Sequence, residues 1–407
     1  MSRLIRVIGI LCCAICLITA CEYDGPNAIW KPNPTGAPDP VIQSIVPENT
    51  AGPGAAKIVI QGENFSSEEG ENMVFFDNVQ VDVKEFSPTE LVVYRPNLTA
   101  ENIVISVVVQ DALQESKFSP YAVTPVGGVY AEVREKGTLN AMAVDKDENV
   151  WIHTNRKKLY RVNLDGSVDE VITNTRPRTI YEMKLGPDGV LYLGRDDKYM
   201  MLARPGADDL ETWASGLPGK VKYFDFDPNQ NIYAGGKGSG MIIIYPDGSN
   251  FKLDDYANYD IYGIRYFDQT LYIAASYLGD DGLGIPFGIY ISKVKNDLTL
   301  EKPELLLDWA ESGSFSETTF MDMEMDEDGI LYIATDGGEG FDLDPIMMIY
   351  PDGSLDTFYK GGILSGPIMG VAWGEGGYLY YFTSLDPSLY YVHRIDMAKQ
   401  CAPRYGR

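Results

Sequence analysis

Between residues 139 and 397 one unit recurs six times: an acidic turn containing Gly, Asn or Gln, then a short apolar strand carrying an aromatic residue. The copies end Asn149-Val150-Trp151, Val190-Leu191-Tyr192, Asn231-Ile232-Tyr233, Thr270-Leu271-Tyr272, Ile330-Leu331-Tyr332 and Tyr378-Leu379-Tyr380. Their aromatics are spaced by 41, 41, 39, 60 and 48 residues. A period of about 40–50 residues built from short strands and turns marks propeller blades. In each unit an inner strand precedes the turn. The aromatic strand follows it, and a third strand ends at hairpins such as Asp165-Gly166, Asp247-Gly248 and Asp352-Gly353. Asp-Gly supplies the positive φ that tight hairpins need. Fourth strands read at 169–172, 210–214, 304–309 and 355–359. None follows Asp396, while 129–133 stands unpaired before the first unit. That N-terminal strand is therefore expected to complete the last blade and close the ring, which removes exposed sheet edges.

Upstream, residues 40–125 alternate apolar and polar in short runs such as Lys57-Ile58-Val59-Ile60 and Leu91-Val92-Val93-Tyr94, the pattern of a small β-sandwich. Ile45-Val46-Pro47, then Ile60-Gln61-Gly62-Glu63-Asn64-Phe65, then Ser87-Pro88-Thr89-Glu90-Leu91 resemble the IPT/TIG immunoglobulin-like family in that family's order. Gly62 is expected to serve a sharp turn between paired strands. The repeats in 126–407 resemble those of NHL propellers. The fold expected is all-β: an immunoglobulin-like sandwich followed by a six-bladed β-propeller.

Arg3 and Arg6 precede an almost wholly apolar stretch that ends Leu17-Ile18-Thr19-Ala20-Cys21. This is a targeting segment over 1–20, and it resembles a lipobox cleaved before a lipid-modified Cys21. The resemblance implies a lipid anchor, followed by a Pro-rich tether over 21–39. Glu22 and Asp24 resemble the export signal of outer-membrane lipoproteins that face the cell exterior; the periplasmic face is the alternative. Cys12, Cys13 and Cys16 leave with the signal and Cys21 is lipidated, so Cys401 has no disulfide partner. The formal charge is −26. Such a surface repels nucleic acid and anionic headgroups.

Aligned on the marker aromatics, the inner strands place Glu182, Lys184, Asp225, Arg265, Asp322 and Glu324 toward the central channel. Two readings stay open. The four acids and two bases form a self-neutralising network, since unpaired buried charge is expensive. Alternatively Glu182, Asp225, Asp322 and Glu324 hold a divalent cation, either a structural Ca²⁺ or the catalytic metal of gluconolactonase-like propellers. The acidic runs at 145–149 and 326–329 recur at one blade position and read as turns. There is no Gly-x-Ser-x-Gly, His-Glu-x-x-His or P-loop motif, and only two histidines occur.

Enlarged connections on blades three to five carry aromatics beside Asp and Asn: Tyr256, Tyr259, Tyr277, Phe287, Trp309 and Phe341. Flat rings flanked by polar groups suit sugars, whose CH faces stack while hydroxyls hydrogen-bond. The expectation is a cell-surface lipoprotein that binds an oligo- or polysaccharide for uptake, without a cofactor, beside outer-membrane import proteins. Polysaccharide use is what the family resemblance implies. The alternatives are a metal-dependent hydrolase or lactonase and a protein-interaction scaffold.

Overall fold

A computed structural model describes residues 36–133, 136–279, 287–341, 343–364, 366–383 and 391–406. The targeting segment, Cys21 and the tether through residue 35 lie outside the described residues.

The period-2 alternation of the N-terminal region yields two facing sheets. One is ordered Val41–Val46, Lys57–Glu63, Glu90–Tyr94, Val83–Ser87. The other has five strands centred on Ala100–Val109. Ile58, Ile60, Phe76, Leu91 and Ile105 are fully buried between them. Gly62 does not turn the chain. It sits mid-strand opposite Ile42, where a Cβ would collide with the Val41 carbonyl and the Phe65 ring. Close backbone approach, rather than a bend, is why this position takes no side chain.

Six four-stranded antiparallel sheets follow. The first is Leu139–Val144, Val150–Thr154, Lys158–Val162, Val168–Ile172. The last is Ile368–Trp373, Tyr378–Thr383, Tyr391–Asp396, with Gly128–Glu132 hydrogen-bonded as its outermost strand. The ring thus closes through the strand before blade one, as the repeat count required.

The recurring aromatic has a packing role. Tyr192 meets Phe226 of the next blade at 5.1 Å, Tyr233 meets Tyr266 at 6.2 Å, and Tyr332 meets Trp373 at 5.1 Å. In each case the partner lies at the end of the next inner strand, so the ring fills the wedge between adjacent sheets. Each such pair adds about 0.5–1.5 kcal/mol beyond its buried area. The acidic runs are turns: Asp145, Asp227 and Asp326 each accept backbone N–H groups two and four residues onward at 2.8–3.0 Å.

The sandwich is fixed to blades five and six. Lys57, Lys84 and the Tyr94 hydroxyl converge on Asp356, whose side chain is 3% exposed. The Tyr359 hydroxyl donates to the Pro53 carbonyl, and Ala56 enters the core around Trp373.

Strand connectivity gives the propeller two unlike faces. Short hairpins occupy one. Connections into each inner strand, and those after each aromatic strand, occupy the other, so all the enlarged loops open on that second face.

Candidate functional site

Inner strands run from the long-loop face toward the hairpin face, so their channel residues stack in two tiers. Glu182, Tyr223 and Asp322 form the tier nearer the loops. Lys184, Asp225, Arg265 and Glu324 lie two residues deeper. In the deep tier Arg265 donates to Asp225 at 2.7 Å and lies 3.3 Å from Glu324, while Lys184 lies 3.3 Å from Asp225. Glu182 is more distant from Lys184, at 3.9 Å.

A third cation comes from an unexpected place. Arg404, in the segment after the last blade, pairs with Glu324. Nearby, Tyr405 packs on Tyr266 at 5.4 Å and Gly406 abuts Phe226 and Leu185. This C-terminal segment closes the hairpin end of the channel. Arg404 lies 80 residues from its partner and outside the repeat. Its only sequence signal is a cation beyond the last blade of an acidic chain.

The carboxyls divide by tier. Burial would raise Asp225, but Lys184 and Arg265 outweigh it and hold the group at about 2. Burial opposes ionisation of Glu324 too, and Arg404 and Arg265 keep it below the ordinary value. Burial pushes Glu182 well above the usual range, against Lys184 and with Asp322 and Asp225 adding repulsion. Burial also lifts Asp322 to about 6, although the Val371 and Met323 amides donate to it at 3.0 and 2.8 Å. Three cations therefore face four carboxyls, and one retained proton leaves the hub neutral.

The metal alternative required these four acids to converge on one point. Instead Asp225 and Glu324 are committed to lysine and arginine, and no group of three or more His, Cys, Asp or Glu is placed to hold an ion among the described residues. Burial holds His153 at about 4, and its Nε2 lies 2.8 Å from the Thr175 hydroxyl. His393 stacks on Tyr381 at 4.8 Å.

Both tier-one acids hold protons more tightly in the folded than in the unfolded chain. Their stabilising contribution is therefore complete below pH about 4 and declines as pH rises, through about 6 for Asp322. Glu182→Gln removes one such group. It should match the wild type in denaturant midpoint at pH 4.5 and exceed it at pH 8; an offset equal at both pH values would contradict this assignment.

Above the acids, Asn140, Tyr181, Met321 and Met369 line the open mouth, Lys222 lies beside Tyr181, and Tyr262 packs edge-on against Phe287 at 5.6 Å. Strict alternation would turn these toward neighbouring blades. In four blades a β-bulge falls on that residue, as the register skips over Asn140, Tyr262, Met321 and Met369. A bulge re-aims a side chain. All six are at least partly exposed, Tyr181 at 39% and Met369 at 37%. The Lys222 ammonium sits 4.1 Å from the Tyr181 ring centre, and Tyr181 meets Tyr223 edge-on at 6.5 Å. The space beneath is about 30 Å³, little more than room for water.

The loop aromatics have diverse fates. Tyr256 is fully buried against blade three, and Trp309, 7% exposed, donates its Nε1 to the Thr318 carbonyl at 3.0 Å. Neither presents a ring face to a ligand, which corrects the expectation for both. Short 3₁₀ turns, Asp254–Tyr256 and Trp309–Glu311, fold these rings back onto the blades. Phe287 is part-exposed and packs on Trp309 at 5.2 Å and Phe320 at 5.6 Å. Tyr259 and Tyr277, both part-exposed, rest on each other at 4.9 Å. Phe341, 46% exposed, is the outward-facing member.

Residues 40–124 match the IPT/TIG domain family. No curated protein matches the chain. Among solved structures it is similar to an auxiliary nutrient binding protein from Bacteroides thetaiotaomicron, at 12% identity and a TM-score of 0.49, over 89% of this chain and 98% of that one. It is similar to another from Bacteroides ovatus at 14% identity and a TM-score of 0.49, over 89% and 98%. A streptogramin B lyase is similar over 63% of this chain and 92% of its own, at 10% identity and a TM-score of 0.43.

Proposed function

We propose that this chain captures neutral glycan at the mouth of its propeller, anchored through Cys21 to the outer face of an outer membrane and delivering ligand to import proteins there. The observation that carries the reading is the rim of Asn140, Tyr181, Met321 and Met369 over a blind channel. Its far end is closed by Arg404 and Tyr405, and its rim offers the Tyr181 ring, Lys222 and Asn140 above two carboxyls. Rings that stack on sugar CH faces, beside donors and acceptors for hydroxyls, are what a pyranose requires. The narrow space below means a sugar rests across the mouth rather than entering the hub. Acids at the rim and a charge of −26 disfavour an anionic glycan. The metal-dependent hydrolase alternative gains nothing from the geometry, because Asp225 and Glu324 are already occupied by cations.

Calorimetric titration with neutral oligosaccharides tests this. Tyr181→Ala, a substitution at a part-exposed site, should weaken binding about tenfold or more, near 1.4 kcal/mol, with an unchanged melting temperature. Absence of binding by any neutral glycan, or full affinity in the variant, would end the reading.

A further inference from the structure

The marker ring meets a second aromatic in blades two, three, five and six, whereas the wedge between blades one and two stands open. In four blades the outermost strand carries a bulge, at Val171, Trp213, Leu306 and Tyr130. In blade two Trp213 covers Tyr192 at 5.4 Å, and in blade six Tyr130 covers Tyr380 at 5.3 Å. In blade one the bulged residue is Val171. The neighbour at the end of the next inner strand is Leu185, where blade three offers Phe226 and blade six Trp373. Both fillers are small, so Trp151 is left part-exposed against a cleft of about 650 Å³ on the hairpin face. That volume lies within the range of small-ligand sites.

The indole is held in place. Its Nε1 donates to Asp145 Oδ2 at 3.0 Å, and Asp145 is itself fixed by the Asp147 and Asn149 amides. Arg161 sits 6.0 Å from the ring centre and pairs with Asp169 at 3.0 Å. Of the three cations at the lining, Arg161 and Arg204 are already paired with Asp169 and Glu211, so the acids Asp145, Asp147 and Asp188 face Lys146 alone. A rigid indole with donors and acceptors around its rim fits a neutral, hydroxyl-rich ring, and the surplus of carboxylates disfavours an anion.

We propose that this cleft is a second carbohydrate subsite, seating one neutral pyranose with its CH face on Trp151. It is independent of the mouth, which opens on the opposite face. Two sites on one body would let a long glycan be held at two points, raising avidity without new contacts.

The test uses ¹⁵N-indole spectra of the intact protein, which has five tryptophans, with the Trp151 signal assigned by its loss in Trp151→Phe. Gluco-, manno- and xylo-oligosaccharides are titrated in turn. At least one should shift the Trp151 signal saturably. Val171→Trp, which copies the filler of blade two, should abolish that shift while melting no lower than the wild type, and Tyr181→Ala should leave it intact. No shift of the wild-type Trp151 signal with any of the three series would overturn the proposal, as would an undiminished shift in Val171→Trp. A shift lost in Tyr181→Ala would also overturn it, since the signal would then report the mouth.

Discussion

Arg265→Met is expected to destabilise the protein by about 3–5 kcal/mol, the largest loss from any single change in the channel. Arg265 is 1% exposed and stands between Asp225 and Glu324, the two carboxyls that ionise in the deep tier. Methionine keeps the aliphatic stem of the side chain and removes the charged guanidinium, so the electrostatic loss dominates the packing loss. Lys184 and Arg404 each retain one contact, but neither reaches both acids. Guanidinium denaturation at pH 7 measures the effect, and a loss under about 1 kcal/mol would show that the hub does not depend on its central cation. Part of the stability should return as pH falls, because protonation relieves the stranded carboxyls.

The second large effect belongs to the junction between the sandwich and blade five. Burial would raise Asp356, yet hydrogen bonds from Lys57, Lys84 and Tyr94 hold it below the ordinary carboxylate value. Its contribution is thus present above pH about 4 and lost as the pH falls through the depressed folded value. Asp356→Ala removes an acceptor that three donors share. The lysines are 20% and 25% exposed and can turn to water, so the expected cost is about 1–3 kcal/mol rather than that of a fully buried pair. The cost falls on the interface. Calorimetry should show one melting transition in the wild type and an earlier, separate sandwich transition in the variant. A single unshifted transition would contradict a junction held by Asp356.

Periodicity carried the reading of this chain a long way. Six turn-aromatic units and an unpaired strand at 129–133 were enough to infer the closed ring, and alternation along each inner strand placed Glu182, Lys184, Asp225, Arg265, Asp322 and Glu324 on the channel side. The same rule hid the mouth. Residues such as Asn140 and Met369 precede the channel row and count as interface positions until a bulge turns them, and a bulge leaves no mark in composition. The loop aromatics show a different limit. Tyr256 and Phe341 occupy similar polar, Asp-rich stretches, yet one is fully buried and the other 46% exposed. Only the path of the loop decides between them. Arg404 is not legible in the sequence, because nothing local connects it to Glu324.

Under the proposed function, ligand meets the Tyr181 rim while the hub beneath stays closed by its own charges. A crystal structure of the protein soaked with the tightest-binding neutral oligosaccharide tests it most directly. A sugar ring should lie against Tyr181, within hydrogen-bond reach of Lys222 or Asn140, with the Arg265–Asp225 and Arg404–Glu324 pairs unchanged. A sugar seated between Asp225 and Glu324 with those pairs broken, or an empty rim with ligand bound elsewhere on the long-loop face, would contradict it.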